Sequence, residues 1–341
     1  MTRLDTLGMW DATLGLPEQV AEAIIPPDSL DLPSAESIEH VVVLGAGPGG
    51  LAGDAIVAAA GPLLPLPVVV VRSYIVPPFV SRATLVFALS ADGDTEEVVE
   101  AAQEAAIAGA TVVGISGPGR LAALCREWGS PLVSLPPDLP PARAAIGDLL
   151  VPALCLLEDV GLFPGARAWV YSAVEQLLRR RDKLARPAND MEVLARRIGR
   201  TFPVAHGGGN IGDVAAHRFK SQVNANAKAP AFFASHPDLD YDELLGWGQH
   251  GDVTRQLLTL VNFRHDEEHP QVSRRFELVA DQVAEAVAGT LEIRAEGEGD
   301  VAQLLDLVFQ GDICSLHLAD QEGLDPGPSP AIDTLVNALQ G

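Results

Sequence analysis

Basic residues are scarce in this chain: 23 lysines and arginines stand against 46 aspartates and glutamates in 341 residues, a formal net charge of −23. So acidic a chain excludes nucleic acid and anionic membranes as partners, because both attract basic faces. The charge otherwise serves solubility. Cysteine is scarcer still: Cys125, Cys155 and Cys314 are scattered without a CxxC spacing. That excludes a disulfide framework and a zinc site, and reads as buried apolar thiols in a reducing cytoplasm. The histidines form no HExxH arrangement, and no metal is expected. Aromatic residues make up only 5% of the chain. No apolar run can cross a bilayer, since the longest, 56–71, is broken by Gly61 and three prolines. The N-terminus carries Arg3, Asp5, Asp11 and Glu18 and lacks the apolar core of a secretion signal. A cytoplasmic protein is expected.

What the chain has in quantity is short β-branched runs alternating with alanine-rich stretches. Strands are predicted at 40–44, 68–71, 84–89, 111–115 and 131–135, with helical patterns at 50–60, 95–108 and 120–128. Continuous apolar strands that alternate with helices indicate a parallel sheet covered on both faces. The proline-rich stretch 136–141 ends this unit, and 142–200 reads as long helices, with the basic run 179–181 on a solvated face. The pattern then restarts with a strand at 202–205, a glycine turn at 206–212 and a helix to 223. Further strands are predicted at 231–234, 257–262 and 290–293. Two strand–glycine turn–helix openings, at 41–60 and 202–223, imply two related α/β units.

Three turns carry the chemistry. Gly45, Gly47 and Gly50 match the GxGxxG fingerprint, which lets a dinucleotide pyrophosphate approach a helix N-terminus. The acidic residue that should end the second strand is missing; Arg72 stands there and would suit a 2′-phosphate. Alternatively, these glycines only permit close helix–strand packing. The second turn, Ser90-Ala-Asp-Gly-Asp-Thr95, joins an apolar strand to a helix, a natural place to hold an anion. Asp92 and Asp94 conflict with that use. Asp94 fits a capping box with Glu97, but Asp92 has no such explanation. At the third turn, His206 and Asn210 either contact a ligand or solvate a loop.

With these turns in place, the chain resembles the sugar isomerase (SIS) family, on the branch of the dual-specificity phosphoglucose/phosphomannose isomerases. Leu7-Gly-Met9, Leu16-Pro-Glu-Gln19, Ala142-Arg-Ala-Ala145, Asn224-Ala-Asn-Ala-Lys-Ala-Pro230, Glu243-Leu-Leu-Gly-Trp247 and Pro328-Ser-Pro-Ala-Ile-Asp333 carry the likeness. The resemblance implies an α/β fold of two SIS domains, flavodoxin-like parallel-sheet sandwiches, in a homodimer with active sites near the dimer interface. The domain limits read as an N-terminal helical segment at 1–36, a first SIS domain at 37–160, linking helices at 161–195 and a second SIS domain at 196–341. It also implies that the family's phosphate-loop serines fall on Gly49, Ser90 and Asp92, with the loop's threonine at Thr95. The family's catalytic glutamate falls on Ala225, its catalytic histidine on Tyr241, and a lysine of some members on His317. Arg143, near the reacting carbons in the family, is kept.

Aldose–ketose isomerisation needs a base within reach of the C1–C2 proton and a group that opens the ring. Alanine supplies neither, and a tyrosine with a pKa near 10 suits neutral pH less well than histidine. His317 has a suitable ordinary pKa, or serves only as a helix residue with a structural hydrogen bond. The expected function is therefore a catalytically degenerate isomerase-like protein that binds a sugar or sugar-phosphate-like ligand without a cofactor. Its candidate ligand residues are Gly45, Gly47, Gly49, Ser90, Asp92, Thr95, Arg143 and His206, and its candidate catalytic residues Arg143, His317 and Tyr241. The alternatives are an active phosphosugar isomerase and, third, a nucleotide-cofactor oxidoreductase.

Overall fold

The computed structural model describes residues 3–339 except 138 and 140. They form two compact units. One is built on Gly15–Arg179 with Glu296–Asp306; the other is built on Arg180–Ala295 and takes in the segment up to Leu14 and that from Leu307.

In the first unit, strands β1 (His40–Leu44), β2 (Val68–Val71), β3 (Thr84–Ser90), β4 (Thr111–Ser116) and β5 (Leu132–Ser134) form one parallel sheet in the order β2-β1-β3-β4-β5. Every residue of β3 is buried, as a central strand covered on both faces requires. On one face Val42, Val86 and Val112 pack against Val98, Ala102 and Leu121 of the flanking helices. Helix Pro48–Ala60 lies against the sheet and against helix Ile146–Val160, which is buried along most of its length. Gly114 has no room for a side chain: a Cβ there would sit 2.7 Å from Cys125 Sγ.

In the second unit, β6 (Phe202–Gly208), β7 (Phe232–His236), β8 (Leu258–Arg264) and β9 (Gly289–Arg294) are likewise parallel, in the order β7-β6-β8-β9. Val204 and Leu260 anchor a core with Leu239, Val279 and Val283. Helix Gly209–Gln222 follows β6 and widens into a π turn at Val223–Ala227, which holds Ala225. All three cysteines are free and buried, as their spacing implied. Among the described residues, no helix is long and apolar enough to cross a membrane.

Both sheets reverse direction at one point: β1 is followed by β2 on one side and by β3 on the other, and β6 by β7 and β8 in the same way. Such reversals open a crevice at the carboxyl ends of the two strands, where ligands of open α/β sheets bind.

Candidate functional site

The glycine turn and the hydroxyl turn meet at the first of these crevices. β1 and β3 are hydrogen-bonded neighbours, so the turns that leave their carboxyl ends lie side by side. A hollow of about 200 Å³ between them is lined by Gly47, Gly49, Ser90, Asp92, Thr95 and Ala142, among others. Gly47 adopts φ +50 and needs glycine's freedom there. Gly45 lies behind the wall, where a Cβ would come within 2.5 Å of the Gly49 backbone. Arg143 follows Ala142 in a short 3-10 turn, half-buried, and that burial lowers the pKa of its guanidinium.

The hydroxyl turn is already filled. Ser90 Oγ donates to Asp92 Oδ1 at 2.9 Å, and Asp94 N donates to the same oxygen at 3.0 Å. Thr95 Oγ1 lies 2.9 Å from Ser90 Oγ and 3.4 Å from Asp92 Oδ1. Gly93 N and Thr95 N both donate to Ser90 Oγ, at 3.0 and 3.4 Å. Three successive backbone N–H groups make a nest that suits an anion. Here all three are taken by internal acceptors. The Asp92 carboxylate accepts from the groups that would hold an external anion.

Two neighbouring expectations need correction. The capping box on Asp94 does not form: Thr95 is the N-cap of helix Glu96–Ile107. Asp94 Oδ1 instead accepts from Arg120 N at 2.9 Å, at the start of the next helix, because the turn lies against residues 117–119. Arg72 is occupied: it pairs with Asp54 and donates to Gly50 O at 2.9 Å, both on the helix that follows the glycine turn.

His206 is not a loop residue. It lies within β6, 1% exposed, with Nε2 2.7 Å from Glu243 Oε1. Its ring meets that of His236 edge-on, centroids 5.9 Å apart. His236 Nδ1 is 3.0 Å from Asp240 Oδ1, and Asp240 also binds Arg275. Burial is the chief cause that lowers the His236 pKa, so the ring is neutral at pH 7. These two pairs hold the segment 237–247 on both sides of Tyr241, whose side chain is 73% exposed. Neither pair was foreseen, although His206 four residues into an apolar strand was the available signal. At the second crevice His265 Nε2 donates to Gly208 O at 3.0 Å, and the ring lies against Gly209. His269, four residues on, caps helix Pro270–Val283, its Nδ1 accepting from Gln271 N at 3.1 Å.

His317 lies on helix Gly299–Gln321 and borders another hollow of the second unit, which neither Tyr241 nor His206 lines. At this cavity, therefore, His317 is joined by neither of the other two.

Two doubly wound parallel sheets, the first opening on a glycine turn beside a hydroxyl turn, define a protein of the SIS class. The chain is a SIS-domain, phosphoglucose/phosphomannose isomerase-like protein: residues 188–339 match the family described as bacterial phospho-glucose isomerase C-terminal SIS domain. It is 29% identical over 336 residues to a bifunctional phosphoglucose/phosphomannose isomerase of Caldicellulosiruptor bescii, covering 97% of this chain and 98% of that one. A protein of the same description from Aquifex aeolicus is 28% identical over 274 residues, with 80% and 82% covered. In fold, the C-terminal domain of glucosamine-fructose-6-phosphate aminotransferase from Francisella tularensis superposes with a TM-score of 0.71 at 14% identity, covering 95% and 98% of the two chains.

Proposed function

We propose that this protein is a catalytically degenerate relative of the bifunctional isomerases that binds a sugar or sugar-phosphate-like ligand in the crevice between β1 and β3. The observation that carries this reading is the self-filled turn, where Asp92 engages Ser90, Thr95 and the Asp94 amide. A working phosphate loop keeps such donors available to its anion. The family's catalytic glutamate position holds Ala225, whose methyl group cannot take the C1–C2 proton. Binding rests on the hollow itself and on Arg143 beside it. The setting that goes with this reading is a cytoplasmic homodimer in carbohydrate metabolism.

One observation favours a second reading, a working isomerase with relocated groups. The His206–Glu243 and His236–Asp240 pairs place titratable side chains near the carboxyl edge of the second sheet. A coupled assay decides between the two. Purified protein supplied with glucose 6-phosphate or mannose 6-phosphate should yield no fructose 6-phosphate above background. Turnover of a few per second or more, in the ordinary enzyme range, that disappears in Arg143→Ala would establish the second reading instead.

A further inference from the structure

The second unit contains a cavity of about 520 Å³ bordered by none of the residues of the glycine or hydroxyl turns. Its size is that of a small-molecule site. Trp10 and Leu14 form part of its apolar wall, and Arg3, Arg186 and Arg196 bring guanidinium groups to it.

The apolar wall is held in place. Asp5 accepts from Met9 N at 2.8 Å and Trp10 N at 2.9 Å, which fixes the short helix that bears Trp10. The indole is 6% exposed, packed edge-on to His317 with centroids 4.9 Å apart, and the Arg3 guanidinium lies 3.7 Å over it. Thr6 Oγ1 donates to Asp325 Oδ2 at 2.5 Å and secures the same segment.

The charges are unbalanced. Arg196 pairs with Glu192 at 2.6 Å, and Arg3 lies 3.6 Å from Asp320. Arg186 has no ion pair among the described residues. Three guanidinium groups against two carboxylates leave an excess positive charge, in a chain whose net charge is −23. His317 adds no charge, because burial, first among the causes, lowers its pKa and leaves it neutral at pH 7. A planar guanidinium without a carboxylate partner is suited to bidentate capture of a phosphate.

We propose that this cavity binds a small organic phosphate, with its oxyanion on Arg186 and the remaining N–H groups of Arg196, and its apolar body against the Trp10–Leu14 wall. The site is independent of the crevice between β1 and β3. Phenyl phosphate and inorganic phosphate are the probes, followed by calorimetry and tryptophan fluorescence on the full chain. Phenyl phosphate should bind about tenfold more tightly than inorganic phosphate, because only its ring buries apolar surface. Arg186→Ala should weaken phenyl phosphate about tenfold or more, through loss of charge-assisted hydrogen bonds. Trp10→Phe should remove most of the fluorescence response while calorimetric binding persists. The proposal is overturned if phenyl phosphate fails to bind at about 10 mM, a concentration that detects even weak sites. Equal affinity in the wild type and in Arg186→Ala, an exposed position whose change spares the fold, overturns it as well.

Discussion

Replacing Asp92 tests directly whether the hydroxyl turn is a disabled phosphate cradle. Asp92 borders the 200 Å³ hollow and accepts from Ser90 Oγ and Asp94 N at 2.9 and 3.0 Å. A phosphate dianion held about 5 Å from that carboxylate is repelled by about 2–7 kcal/mol as the effective dielectric falls from 80 to 20. Asp92 is exposed, so the lower end applies. The carboxylate also consumes donors, and each hydrogen bond that returns to a ligand adds about 1 kcal/mol. Together these give about 3 kcal/mol, or roughly a hundredfold in Kd. Asp92→Ser should therefore convert glucose 6-phosphate binding that calorimetry barely detects into binding near or below millimolar. Asp92→Asn separates the contributions: it removes the charge and keeps an acceptor in the turn, so it should recover only the repulsive part. Isomerase activity should stay absent in both. Micromolar binding by the wild type, or no gain in a folded Asp92→Ser variant, refutes the reasoning.

The serine that the resemblance would place at Gly49 should not help: its Cβ would lie 2.7 Å from Leu89 O. Gly49→Ser should cost about 1–3 kcal/mol, read as a lower melting temperature. Arg218 is 2% exposed and binds Asp312 through Nε at 3.1 Å and Nη2 at 2.6 Å. Arg218→Ala leaves that carboxylate buried and unpaired and should cost about 3–5 kcal/mol in denaturant unfolding, whereas the paired change to Met and Leu should cost less. Asp148 is 8% exposed, one carboxylate oxygen lacks a partner, and burial, with Glu22 nearby, raises its pKa from 3.8 to about 6. A carboxyl whose folded pKa is raised costs nothing below about pH 4, costs progressively more up to about pH 6, and costs a constant amount above that. The stability of Asp148→Asn relative to the wild type should rise by up to about 3 kcal/mol from pH 4 to pH 7. A pH-independent difference counts against it.

The fold was legible because buried parallel strands write themselves as continuous β-branched runs: the predicted 40–44, 68–71 and 84–89 recur as β1, β2 and β3 with at most one added residue. The adjacency of the two turns at the crevice was also legible, since strand order follows from the doubly wound pattern. Side-chain partners were not. Asp94 reads locally as a cap on its own helix, yet the approach of residues 117–119, distant in sequence, gives it Arg120 N instead. Arg72 reads as a free cation after a strand until Asp54, one helix back, neutralises it. The position of His206 inside β6 was missed because the three glycines after it suggested that the strand had already ended. These partners arise where elements meet, and a one-dimensional pattern does not encode them.

The two crevices show one topological solution put to an unusual use. Each follows a parallel strand that leads into a glycine-rich turn, and each lies where the strand order reverses. In the first, a Cβ on Gly49 would strike Leu89 O and the donors of the facing turn close on Asp92. In the second, the glycine-rich turn after β6 takes in an imidazole: His265 donates to Gly208 O, and Gly209, at φ +68, has the ring where a Cβ would point. Glycine at such turns lets a ligand approach the backbone. Here the chain brings its own side chains to that backbone, a carboxylate in one crevice and an imidazole in the other. His265 leaves Nδ1 buried without a partner, a cost that only good packing around the ring can offset. On the proposed reading, weakened phosphate capture would extend beyond the exchange of single catalytic groups, because the backbone donors of the turn themselves have internal partners.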